Sequence, residues 1–257
     1  MNTLKELIKN NIVAFGIVIG CALIISASVL ASGIGSVNTR NAISVTGSAE
    51  RSVDSDAAKW TVLLTKQSAP ESYTFTVRQI DDAVKSLSKQ LIAKRVKDTA
   101  ITVQPVHQTV ICQSQNQVMY DGAGRQQCSG SFMYNVNQTI IIEADDVRLI
   151  KELSLSLPTT FSVSGVQMQS ISVDFFYTKL ADIRVELLEE ASKNAKERAK
   201  AIAKSTGNRI GSVREASQGI FQVTQKNSTD ISDYGSYDTS TIEKKITAVV
   251  RASFEVK

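Results

Sequence analysis

The chain has few of the residues that most often carry chemistry: one histidine, three cysteines and one tryptophan in 257 residues. So few His and Cys leave no cluster from which to build a zinc site. Three prolines exclude a Pro-rich linker protein. A net charge of +4, scattered along the chain, is too weak for a nucleic-acid binder. What is present is 42% hydrophobic and 21% charged, enough for a packed core and too apolar for wholesale disorder. The length fits one large domain or a small pair.

The longest uncharged run, residues 12–34, reads as an address. As a helix its 23 residues would span about 34 Å, against about 30 Å of bilayer core. Lys5 and Lys9 precede it, offset in part by Glu6, which orients the N-terminus inward. The expectation is a short cytoplasmic segment (1–11), a single-pass inner-membrane anchor (12–34) and an exported domain (42–257) facing the periplasm. Two alternatives stand beside it. Ala31 before Ser32 resembles a signal-peptidase site, which would give a secreted protein. Cys21 in Val18-Ile19-Gly20-Cys21 resembles a lipoprotein box, although a dozen apolar residues follow where such proteins turn polar.

Export changes how the other cysteines read. Cys112 and Cys128 flank a polar, Gly-containing stretch. In an oxidising compartment a disulfide closing it is expected, with two free thiols as the alternative. The spacing is not that of a redox-active Cys-x-x-Cys.

Strands and helices alternate along the exported part. Residues 43–49 alternate as a strand, and Ala58, Trp60, Val62 and Leu64 as a second, with Asp54 and Asp56 in the turn between. Pro70 and Glu71 open a helix on which Val77, Ile80, Val84, Leu87 and Leu91 share a face, and Asp98 ends it. One strand is expected from Ile101 to about Ile111, another over 131–143. Asp145 or Asp146 caps a helix carrying Val147, Ile150 and Leu153. After Gly165, Ile171, Val173 and Phe175 alternate. Residues 179–206 form the clearest helix, its face running through Leu180, Ile183, Leu187, Ala191, Ala195, Ala199 and Ile202, with Gly207 as C-cap. Residues 210–224 read as a strand or hairpin arm, 225–241 as a polar loop, and Ile246 to Val256 as a final alternating strand. The order from 57 to 177 is β-α-β-β-α-β, the ferredoxin-like arrangement. The fold class is α+β, with helices covering largely antiparallel sheets.

No catalytic set converges in the sequence, so a non-enzymatic protein without cofactor or metal is expected. His107 stands alone on a predicted strand. The pairs Asp81/Asp82 and Asp145/Asp146 suit helix faces and caps, and Asp54/Asp56 suit a turn. Gly122 and Gly124 open no helix, so no nucleotide loop is indicated. Lys193, Lys196, Arg198, Lys200 and Lys204 are interrupted by Glu189, Glu190 and Glu197, as on a solvated helix face.

Three stretches together resemble the SIMPL-domain family, the YggE-like exported proteins of bacteria. In 43–64, Gly47, Asp56 and Ala58 match the opening strand pair, with Ala49 where a second Gly is usual. In 131–153, Phe132 takes the aromatic position and Ser131 stands where Gly is common. In 191–213, Ala191, Ala195, Arg198, Ala199, Ala203, Gly207 and Gly211 match a small-residue helix and the turn after it. The resemblance implies an α+β envelope protein associated with oxidative-stress defence, in some cases assembled as a large ring-like homo-oligomer. It implies no catalytic residues. A redox protein acting through Cys112 and Cys128 is the alternative. The open strand edges and the loops 112–128 and 225–241 are the expected contact surfaces.

Overall fold

The computed structural model describes residues 19–20, 22–28, 42–113, 118–120, 122, 126–128, 130–228 and 235–257. In chain order the elements are β1 (Ala42–Asp54), β2 (Ala57–Ser68), α1 (Tyr73–Ala93), β3 (Ile101–Val103), β4 (His107–Cys112), β5 (Val118–Tyr120), β6 (Gln126–Cys128), β7 (Phe132–Ala144), α2 (Val147–Thr160), β8 (Gln167–Phe176), α3 (Leu180–Ser205), β9 (Ile210–Gln218), β10 (Gln222–Gln225) and β11 (Glu243–Val256). The expected α+β class is what the chain adopts. Its strands are antiparallel wherever two of them pair in a described ladder.

The chain forms two compact units. One comprises Thr46–Ala195 with Ser217–Arg251, the other Met1–Val45, Lys196–Ala216 and Ala252–Lys257. The larger unit holds a five-stranded sheet of order β3-β7-β2-β8, with β4 also on β7. Taken with α1 and α2, that is the strand order of a split β-α-β arrangement. Alternation in β2 sends Ala58, Trp60, Val62 and Leu64 to the side covered by both helices. There they meet Ile80, Leu87 and Leu91 of α1, Ile150 and Leu153 of α2, and Ile140 and Ile142 of β7. Each fully buried Leu or Ile contributes about 1.5–3 kcal/mol. Asp146 caps α2, its side chain accepting from Leu149 N at 2.9 Å.

Four local expectations need correction. The strand from Ile101 to Ile111 is two strands, because Pro105 has no N–H to continue the ladder and only β3 and β4 pair with β7. Helix α1 ends at Ala93, before Asp98. Arg95 takes φ 72°, and Val96 N closes back onto Leu91 O at 3.0 Å, which satisfies the last turn. Ile171 does not share the face of Phe175. A bulge pairs Thr61 with Ser172 and Val62 with Ser170, so Ile171 is the extra residue and is 56% exposed. On α3 the buried stripe ends in Ala203, and Ile202 is exposed. Strict four-residue steps from Ile183 lead to Ala203, and Ile202 lies one residue off them.

Residues 210–224 divide into β9 and β10. Both pair with β11, which also neighbours β1. Within the larger unit, Ile183 and Leu187 of α3 pack on Val223, Ile246 and Ala248. Within the smaller unit, Gly207 takes φ +76°. Asn208 N then reaches Ala203 O at 2.8 Å, the Schellman closure expected of a glycine C-cap.

Of the apolar run 12–34, residues 19–20 and 22–28 are described and are helical, with Leu23, Ile24 and Ile25 more than 60% exposed. The rest of the run, with Cys21 and Ala31, lies outside the described residues. No helix among the described residues is long and apolar enough to cross a membrane.

Candidate functional site

The surface with most to offer is the β4 edge of the five-stranded sheet. β4 pairs with β7 from His107↔Asn137 to Cys112↔Phe132. Among the described residues no strand pairs with its other side. Its side chains from His107 to Ile111 are exposed, including Val110 and Ile111 at 36% and 38%. An unpaired row of N–H and C=O groups beside apolar side chains is a template for another strand.

A disulfide marks one end of this edge. Cys112 and Cys128 are bridged, with Cα atoms 5.5 Å apart across 16 positions, so the expected bond is present. It joins the end of β4 to the hairpin β5–β6. Phe132, opposite Cys112, lies edge-on to Tyr134 at 5.5 Å, and Tyr134 lies edge-on to Tyr73 at 5.4 Å. This row of three rings ties the bridged corner to the start of α1. Edge-to-face contacts of this kind add about 0.5–1.5 kcal/mol each.

Part of the sheet face away from the helices is lined mainly by amide and hydroxyl groups, with Lys66 as the charged member. A cavity of about 540 Å³ there is bordered by Thr65, Lys66, Gln67, Asn135, Gln167 and Gln169. Thr65 donates to Asn135 Oδ1 at 2.8 Å, and Lys66 donates to Ser164 O. Such a lining can exchange hydrogen bonds with a neutral polar group. It pairs no nucleophile with a base. Among the described residues no three His, Cys, Asp or Glu side chains converge as metal ligands.

The residues singled out by motif mostly hold the chain together. Gly47 lies against α3, where an added Cβ would sit 2.2 Å from Ala191 O. Asp56 accepts from Thr178 N at 2.7 Å and from its hydroxyl at 2.9 Å. Ala58 is buried between Ala144 and Phe175. Ala191, Ala195 and Ala199 are fully buried, Arg198 is on the exposed face of α3, and Gly211 stands beside Glu255. Asp81 pairs with Lys85 at 2.6 Å on α1. None of these is brought to the β4 edge; of the motif residues only Phe132 is.

One polar centre escaped sequence reasoning. Lys244 is fully buried, its ammonium donating to Asp238 O at 2.5 Å and to Asp238 Oδ2 at 3.2 Å. Burial opposes ionisation of Asp238, but hydrogen bonds from Ser240, Thr241 and Lys244 outweigh it and hold the carboxyl well below the usual carboxylate range. Burial likewise pushes the Lys244 ammonium down, against the pull of Asp238. The signal was available: the alternation of Ile246, Ala248 and Val250, extended one step back, lands on Lys244.

The profile of the SIMPL family, described as a protein of unknown function (DUF541), matches residues 43–254. The chain belongs to the SIMPL family. No curated protein matches it.

Proposed function

We propose that this SIMPL protein is a non-enzymatic, membrane-anchored envelope protein whose exported domain self-assembles through the β4 edge. The observation that carries the proposal is that edge: among the described residues a strand paired on one side only, with Val110 and Ile111 exposed. The helical residues 22–28, with their exposed apolar side chains, support the anchor, and the family resemblance supports an envelope role linked to oxidative stress. Charged side chains on an edge block strand addition. Val110→Lys with Ile111→Lys is therefore expected to convert a multimer to a monomer with little change in melting temperature, read by light scattering behind a sizing column. A double variant that keeps the wild-type mass would remove the edge from the assembly.

A second reading has its own observation, the formed Cys112–Cys128 bridge. In it the reduced pair gives two electrons and two protons to an oxidant, closing the bridge, and an external thiol reductant reopens it. Cys112→Ser with Cys128→Ser separates the two readings. A structural bridge predicts a loss of up to about 3 kcal/mol from loop-closure entropy, with peroxide survival of cells falling only in step with folded protein. A redox role predicts lost protection at unchanged melting temperature.

A further inference from the structure

We propose that the tip formed by the last turns of α3, the start of β9 and the C-terminal end of β11 lies against anionic phospholipid headgroups. The inference rests on the anchored reading above and names the surface on which the smaller unit sits.

Residues 196–216 and 252–257 hold seven Lys and Arg against three Glu, in a chain whose net charge is only +4. The positive charge is therefore concentrated here. Lys196, Lys200 and Lys204 recur every four residues, which stacks them on one face of α3. The helix dipole accounts for a cation in the last turn, and so for Lys204 alone. The turn at Gly207 then brings Arg209 back beside Lys200 and Lys204, around an open cavity of about 550 Å³. All three side chains are exposed, and among the described residues none is paired with a carboxylate. Glu255, an acid of this tip, is already engaged by Ser212 at 3.3 Å and Arg214 at 4.0 Å. Ile202, between Lys200 and Lys204 in the chain, and Val213, next to Arg214, are 45% and 55% exposed, and apolar side chains interleaved with cations are the mixture found on surfaces that meet a bilayer interface.

The position of the tip selects a lipid surface as the occupant. Arg209 and Lys257 exchange both backbone hydrogen bonds at 2.8 Å. Ser44 Oγ lies 3.3 Å from Ser253 Oγ, so β1 begins at this same end of β11. The apolar run ends at Ile34 and β1 begins at Ala42. Eight residue steps reach at most about 28 Å. A chain anchored through that run holds this end, with the exposed Lys200, Lys204 and Arg209, near the headgroups. Each such cation favours an anionic surface about fivefold.

The test uses the full chain reconstituted in vesicles of phosphatidylcholine alone or with phosphatidylglycerol. Lysine acylation rates are read by mass spectrometry. With the anionic lipid, Lys200 and Lys204 are expected to react about fivefold or more slowly, while Lys89 and Lys151 are unchanged. High salt, about 1 M, should abolish the difference. Lys200→Glu with Lys204→Glu and Arg209→Glu should abolish protection of Lys196 and Lys257 without lowering the melting temperature. Equal rates on the two lipids would overturn the proposal. So would protection by inorganic phosphate without vesicles, which would make the cavity a phosphate site. Co-flotation with the neutral vesicles tests the anchor separately. A chain that fails to float there refutes the anchor, while the rates with anionic lipid still decide the tip.

Discussion

Gly47→Val is expected to leave little folded protein, and Gly47→Ala to lower the melting temperature by roughly 10 °C. A Cβ at this position in β1 would lie 2.2 Å from Ala191 O, 2.4 Å from Ala195 N and 2.7 Å from Ala195 Cβ. Two of these are backbone atoms of a helix, so no rotamer change relieves the contact. Overpacking of this kind costs about 1–3 kcal/mol and more when backbone must move. For a chain of this length about 3 kcal/mol is roughly 10 °C. Gly211→Ala is the control. There an added Cβ meets most closely the far ends of Glu255 and Lys257, which can swing away, and Glu255 Cβ only at 3.2 Å. Thermal melts of the three variants decide the matter, and a Gly47→Ala protein melting within about 3 °C of wild type would refute the close approach.

The second large effect is expected at Asp238. Asp238→Ala leaves the Lys244 ammonium buried without its carboxylate, and uncompensated buried charge costs about 3–5 kcal/mol. Lys244→Met removes the ammonium and keeps the volume; the Asp238 carboxylate retains its bonds from Ser240 and Thr241, so this variant is expected to cost less than Asp238→Ala, and in the Asp238→Ala background to restore most of the lost stability. A double variant no more stable than Asp238→Ala would contradict the pairing. The sign with pH follows. The carboxyl is depressed in the folded state, so its contribution is complete above the unfolded value of about 3.9 and is lost as pH falls below it. The Lys244 ammonium is also depressed, so stability rises with pH between its lowered folded value and about 10.4. Urea titrations at pH 3, 7 and 10 read both arms. Lys244→Met should remove the alkaline arm.

These two sites show what sequence carries and what it does not. The period-2 pattern in β2 and β11 and the four-residue alanine stripe of α3 report burial directly, because burial is what sets them. Gly207 was legible as a C-cap for the same local reason. The bulge at Ile171 was not, since the extra residue is defined only against β2. Lys244 was passed over because a charge in a strand is ordinarily read as exposed, and its partner lies in a polar loop. The β4 edge was legible only as an unnamed open strand. Which strands stand at the edges follows, among the described residues, from the sheet order, with β7 and β2 at the centre. The disulfide was readable from the expected export and the spacing together.

The most direct test of assembly is the mass of the full chain in mild detergent, by light scattering with the detergent mass subtracted, over a hundredfold range of concentration. A discrete multimer of many subunits, constant over that range, is the predicted result. A monomer throughout would contradict self-assembly through β4 and leave the edge without the role given to it here.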